Sequence, residues 1–443
     1  MPAIPRTLLL FACLTALMAP TAHAENTPVL RVQGSNTLGA QLIPALLRAM
    51  LEQRGLANVR VQAQAAANER SVLADTAPGR SLRFEVDAHG SSTGFSALQA
   101  GQADLAAASR PINAQEQQAL QALGDMTSAQ AEHVIGIDGV AVIVHPSNPL
   151  RALSLAQLAG VFSGQYQRWE QLGAGNGPIH LYARDDQSGT WETFRERVLL
   201  PHHATLAATA ARLESSEALS QQVSQDPAAI GFIGLPYVLQ ARALAIGDGA
   251  AEPILPAADV IATEDYPLAR RVYFYLPPAS ANPWAKALLD FTQSAGGQSI
   301  VAAQGFVAQT VRAMAVRANP GMPPAYRELA RRGQRLTVNF RFAQGSATLD
   351  NKAMADVERV LAFLQAHDQL QGHATLVGFG DPKGEPERAA LLSRLRAMTV
   401  RRELAKRGVV IDRVLGLGDE LPVADNADEQ GRLHNRRVEV WVY

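Results

Sequence analysis

From residue 30 to about residue 317, short apolar runs alternate with stretches whose apolar residues recur at helical spacing. This is the pattern of an α/β domain with substantial parallel sheet. Leu30-Arg31-Val32-Gln33 reads as a strand, Gly34-Ser35-Asn36-Thr37 as a tight turn, and the next stretch as a helix with Leu42, Leu46 and Leu47 on one face. The same logic recurs at Phe84-Glu85-Val86 before Gly90-Ser91-Ser92-Thr93-Gly94, and at residues 179–183 before Gln187-Ser188-Gly189-Thr190. Three helix starts are therefore rich in Gly, Ser and Thr.

Asn319-Pro320-Gly321-Met322-Pro323-Pro324 and the charged stretch 327–335 predict a linker over 318–335. Beyond it, Leu336-Thr337-Val338-Asn339-Phe340-Arg341-Phe342 alternates with a period of two, as a half-buried strand does. Asp350 caps a predicted helix whose Met354, Val357, Leu361 and Leu364 form one stripe. A strand over 374–379 leads to a helix ending near Gly408, with Ala397, Val400 and Leu404 facing inward, and 438–442 is a last strand. With a short strand expected near Val414, residues 336–443 form a βαβαβ sandwich.

At 443 residues, with 47% hydrophobic and 18% charged positions, the chain suits a soluble globular protein of two or three domains. Residues 1–24 differ from the rest. Arg6 is their only charge, residues 8–18 are almost wholly apolar, and Ala22-His23-Ala24 is a small-x-small cleavage site, so the mature chain is expected to begin at Glu25. The rival readings are a buried N-terminal helix, and a lipoprotein signal at Cys13, where Phe11 fits poorly and the apolar stretch runs on. Cleavage removes the only cysteine, and with it any disulfide. Losing Arg6 takes the net charge from −1 to −2, which argues against a nucleic-acid partner. No later run of about 18 apolar residues predicts a transmembrane helix.

A buried tetrahedral oxyanion needs convergent donors, because an unpaired buried charge is prohibitively costly. Helix N-termini supply free N–H groups and a positive dipole end, and small hydroxyl residues add O–H donors. Arg184 stands four residues before Ser188, so its guanidinium can aim at an anion held by that helix start. Such charge-assisted bonds contribute roughly 1.5–3 kcal/mol each. One such turn is an ordinary N-cap; three with Arg184 point to an anion site.

These motifs, with Ala229-Ile230-Gly231-Phe232, resemble the periplasmic phosphate-binding proteins of ABC transporters over residues 30–317. The resemblance implies a bilobed fold within 25–317, the second lobe over approximately 140–260, and crossing segments at 137–144 and 266–276. It implies inorganic phosphate as ligand, an ABC permease as partner and hinged lobe closure. Carried over by motif, the anion contacts are Thr37, Leu38, Ser91, Arg184, Ser188, Gly189 and Thr190, with Ser109 and Asp186 as further phosphate-binding candidates. One departure matters. Where phosphate-binding relatives often have a proton-accepting aspartate, this chain has Ala108-Ser109-Arg110. Its loss weakens preference for phosphate over sulfate by about 1–3 kcal/mol, roughly ten- to hundredfold. Asp186 either replaces that acceptor or orients Arg184.

In the last domain, Gly378-Phe379-Gly380-Asp381-Pro382-Lys383-Gly384 ends a predicted strand, and Arg396 lies on the following helix. A carboxylate beside a guanidinium matches a zwitterion, though it also suits a plain surface salt bridge. With Leu392-Ser393-Arg394-Leu395-Arg396-Ala397 and Gly431-Arg432-Leu433-His434-Asn435-Arg436-Arg437-Val438-Glu439, this run resembles the peptidoglycan-binding domains of the OmpA family over 336–443. The resemblance implies that Asp381 and Arg396 grip the diaminopimelate of the wall peptide, with Asn435 and Arg436 nearby. It also implies a periplasmic place, on the outer-membrane side of the envelope. Gly380 stands where Thr is usual and Ala389 where Asn is usual, which weakens the expected affinity.

No cofactor or metal is implied. An enzymatic reading would use Ser188 or Ser91 as nucleophile or Asp186 as base, but no motif ties a histidine to them. His202-His203 lacks metal-ligand spacing, and Gly173-Ala174-Gly175-Asn176-Gly177 lacks the ending of a nucleotide-binding loop. The third reading is a wall-bound structural or adhesive protein whose anion site is vestigial.

Overall fold

The computed structural model describes residues 28–77, 80–249, 251–342, 348–382, 384–427 and 429–443; the expected signal sequence and its cleavage site lie outside them. Leu30–Gly34 takes parallel partners on both sides, Arg80–Asp87 and Leu105–Ala108. Ala269–Tyr275 follows antiparallel to Leu105–Ala108, and beside it runs Glu132–Val144. This last strand has 13 residues, on the order of 40 Å at ~3.3 Å per residue, and it joins the lobes. Its first part pairs with Ala269–Tyr275, while Val140 to Val144 pair with Ala229–Gly234. His180–Arg184 and Ala211–Leu213 extend the sheet on the second lobe.

Each lobe has its own core. In the first, Leu42–Gln53 buries Leu42, Leu46, Leu47 and Met50 among Phe84 and Phe274. In the second, Phe162, Phe194 and Phe232 pack together, the last two stacked with ring centroids 3.9 Å apart. Among the described residues no helix is long and apolar enough to cross a membrane.

The C-terminal sheet runs Ala313–Met314, Gln334–Phe340, Val438–Val442, Ala374–Gly378, Arg413–Gly416. Helices Asn351–Ala366 and Pro386–Ala405 bury Val357, Val360, Leu364, Ala397, Val400 and Leu404 on it; Met354, expected in that stripe, is exposed instead. The region read as a linker departs further. Pro324–Arg332 is a helix that lays Tyr326 and Leu329 against Phe379 and Trp441, and Ala313–Met314 already belongs to the C-terminal sheet. Proline at the first helical positions starts this helix without losing a hydrogen bond, and the apolar pair three residues apart holds it down.

The two domains meet through buried charge at residues 263–265, which lead back into Ala269–Tyr275. Arg335 donates to Asp265 at 2.7 Å, and Asn339 to the Thr263 carbonyl at 2.7 Å. Glu264 lies 3.0 Å from Arg271, 3.2 Å from Arg341 and 3.5 Å from Lys352. Elsewhere Asn351 donates to the Thr127 carbonyl of the first lobe at 2.9 Å, and His434 meets Arg197 of the second.

Candidate functional site

The expected anion turns stand at the C-terminal ends of parallel strands, where open α/β sheets receive ligands. Gly34 makes the first turn possible: its φ is 135° and a Cβ there would lie 2.1 Å from the Ala107 carbonyl oxygen. Ser188 caps Gly189–Phe194, accepting from the Thr190 and Trp191 N–H groups at 3.2 and 3.4 Å. Its own hydroxyl proton stays available to donate.

Across the cleft, Thr37 Oγ1 and Thr190 Oγ1 are 3.2 Å apart. Ser91 Oγ accepts from the Ser109 N–H at 3.0 Å and lies 3.4 Å from Ser109 Oγ. Gly189 fits against both serines: a Cβ would come within 2.3 Å of Ser91 Oγ and 2.6 Å of Ser109 Oγ. Thr37, Ser91, Ser109, Gly189 and Thr190 thus converge from two lobes, all buried. Leu38 contributes differently. Its side chain belongs to the first lobe's core and its N–H turns to the Ser35 carbonyl.

Arg184 is 1% exposed. It donates to the Leu213 carbonyl at 3.2 Å, to Ser216 Oγ at 2.6 Å and to the Glu214 carbonyl. Ser216 Oγ lies 3.5 Å from Asn36 Oδ1, which links the guanidinium to the first turn. Burial pushes Arg184 down to about 10. Asp186 takes neither role expected of it: it is 87% exposed and pairs with Arg212. The carboxylate beside Arg184 is Asp185, at 3.7 Å. Its Oδ1 accepts from the Gln187 N–H at 2.9 Å, an Asx turn that draws Asp185 in and sends Asp186 out. Arg110 is closed off by Glu116 at 2.7 Å and by Glu192 of the other lobe.

Four residues of the cleft, Asp138, Arg270, Tyr237 and His89, were not among those expected. Asp138 is fully buried and accepts from Arg270 Nε and Nη2 at 2.9 and 2.6 Å and from the Leu235 N–H at 3.0 Å. Burial raises its carboxyl despite Arg270. Tyr237 donates its hydroxyl to the Thr37 carbonyl at 3.1 Å. The signal for the pair was present as charges inside the two apolar crossing segments. At the rim, His89 bridges Glu69 at 3.2 Å and Glu214 of the other lobe at 3.0 Å. Burial opposes its charge, but the hydrogen bonds to Glu214 and Glu69 raise it above the ordinary histidine value.

At the second site, Arg436 grips buried Asp381 with two bonds, 2.8 and 3.1 Å, and reaches Glu429 at 2.8 Å. Arg396 Nη1 lies 3.0 Å from where a Cβ on Gly380 would sit, so the glycine leaves this guanidinium room. Burial, then Arg436, lowers the Arg396 value. Asp381, Arg396 and Arg436 therefore meet. Asn435 does not join them: its oxygen accepts from the Val423 and Ala424 N–H groups and its nitrogen donates to the Ala424 carbonyl and Asn426. Lys383 lies outside the described residues. Among the described residues no group of three His, Cys, Asp or Glu could hold a metal ion.

Two lobes joined by paired crossing strands, with donor-rich turns facing each other, define a bilobed binding protein. The chain matches the PBP superfamily domain over residues 57–295, more than half its length, and belongs to that superfamily; residues 341–436 match the OmpA family. It is 28% identical over 229 residues to the phosphate-binding protein PstS of Bacillus subtilis, covering 51% of this chain and 71% of that one. With Protein SphX of Synechocystis the identity is 28% over 236 residues, covering 50% and 69%. The fold is shared with a substrate-binding protein of Clostridium perfringens crystallised with bound phosphate: TM-score 0.51 at 23% identity, covering 63% of this chain and 98% of the other.

Proposed function

We propose that this chain binds inorganic phosphate between its lobes while its C-terminal domain holds the diaminopimelate of the wall peptide, on the outer-membrane side of the periplasm. One observation carries the first half: hydroxyls of Thr37, Ser91, Ser109 and Thr190 converge from two lobes, two of them around Gly189, and buried Arg184 is linked to the Thr37 turn through Ser216 and Asn36. Such donors, in a place closed to water, suit an oxyanion and little else. The names of the superfamily relatives agree. Delivery to a permease is the use this architecture serves. An enzymatic reading finds no support among the described residues, where the hydrogen bonds of Ser91 and Ser188 include no histidine or carboxylate base.

Calorimetry on the full mature chain tests the cleft. Phosphate binding that falls at least a hundredfold in Arg184→Ala is the expected outcome, about 3 kcal/mol at 1.4 kcal/mol per tenfold. No phosphate binding by the wild type overturns it. Co-sedimentation with purified peptidoglycan, using Asp381→Ala as the control, tests the C-terminal half in the same preparation.

A further inference from the structure

We infer that Arg270 is a second cation of the anion site, so that the ligand is held between two guanidiniums, Arg184 of the second lobe and Arg270 of the strand that returns to the first. This rests on the phosphate-binding reading and deepens it.

The register places the residue. Ala269–Tyr275 runs antiparallel to Leu105–Ala108 with Tyr273 opposite Ala108, so Arg270 lies beyond the C-terminal end of that strand, on the level of the anion turns. Opposite it stands Asp138, which takes Nε and Nη2. Among the described residues Nη1 is then left buried without a hydrogen-bond partner, on a side chain only 3% exposed. A buried donor of a charged group left unmet is costly, and an oxyanion oxygen is the acceptor this arrangement lacks.

Gly234 shows how near the pair is to the first turn. A Cβ there would touch Thr37 Cγ2 at 2.9 Å, Asp138 Oδ2 at 3.0 Å and Arg270 Nη2 at 3.2 Å. The glycine is the spacer that lets the Thr37 turn settle on the ion pair. The two guanidiniums also feel each other, since Arg270 adds to burial in lowering Arg184. An anion between them turns that repulsion into attraction. Asp138 offsets the charge of Arg270, so the second guanidinium contributes a directed N–H donor to the oxyanion rather than a second net charge.

Arg270→Lys is the test, because lysine keeps a cation on Asp138 but gives up the guanidinium fork that leaves Nη1 over. Phosphate affinity of the full mature chain is measured by calorimetry, with the melting temperature of the ligand-free protein beside it. The expected result is an affinity at least tenfold weaker at an unchanged melting temperature, as the loss of one charge-assisted hydrogen bond gives. Unchanged affinity overturns the inference and leaves phosphate binding standing. It would mean that Nη1 serves the cavity of about 260 Å³ at the domain junction, which Arg270 also lines. If Arg270→Lys melts early, the neutral pair Asp138→Asn with Arg270→Gln replaces it under the same two measurements. A wild type that binds no phosphate overturns both readings.

Discussion

Arg184 in the cleft and Arg436 at the wall site are both placed for recognition, yet their charges are met in opposite ways. Arg184 spends its donors on neutral oxygens, the Leu213 and Glu214 carbonyls and Ser216 Oγ, and its nearest carboxylate, Asp185, is 3.7 Å off. Arg436, 18% exposed, lies between two carboxylates, Asp381 and Glu429. A guanidinium fixed by neutral groups keeps its charge for a ligand. One already paired has to share its partner, so on the proposed reading a wall-peptide ammonium would compete with Arg436 for Asp381 while Arg396 would receive the carboxylate. The cleft should therefore bind tightly and tolerate salt, and the wall site should bind weakly and lose affinity as ionic strength rises.

The contrast is broken hardest at Gly189. Gly189→Ala puts a methyl into Ser91 and Ser109 across the lobes, and is expected to weaken phosphate binding about a hundredfold, ~3 kcal/mol, in calorimetry. Because the clash lies between lobes rather than in either core, the melting temperature should barely move. Asp381→Ala removes the buried carboxylate proposed to meet an ammonium between Arg396 and Arg436. Co-sedimentation with peptidoglycan should fall about tenfold, with phosphate binding intact; loss of both activities would mean that the sites do not act separately.

A smaller effect is expected at the rim, from pH. His89 is raised above its ordinary 6.5, so its charged ring steadies the closed lobes below that pH and stops doing so as pH climbs through the folded value. Asp87, pushed up to about 6 by burial and then by Glu69 and Glu85, works in the same direction: it binds a proton that the unfolded chain releases near 3.8, so stability falls as pH rises between these values. The melting temperature of ligand-free His89→Gln should fall less between about pH 6 and about pH 8 than that of the wild type, the bridge contributing at most about fivefold to closure. Asp186→Asn sharpens the comparison from the other side: phosphate affinity within about twofold of wild type is expected, since an exposed pair contributes little. A tenfold loss would return Asp186 to the anion site.

Much of the cleft was legible because helix starts at strand ends are local features, and Gly, Ser and Thr there have few other uses. What escaped was non-local or decided by a single turn. Asp185 and Asp186 are adjacent carboxylates beside the same arginine, and only the bond from the Gln187 N–H determines which one turns inward. Asp138 and Arg270 are 132 positions apart and meet only through strand register. Asn435 fits the wall-binding motif, but the turn it holds at 423–426 has no periodicity to announce it. In the stretch 318–335, proline and glycine outweighed the Tyr326 and Leu329 spacing that makes Pro324–Arg332 a packed helix.

That packed helix, and the grip of Arg335, Arg341 and Lys352 on residues 263–265, change what being tied to the wall means. A free 18-residue leash would let the cleft wander over about 20–25 Å. The docked domain acts as a bracket instead of a leash, so the cleft keeps a fixed bearing relative to whatever the C-terminal domain holds.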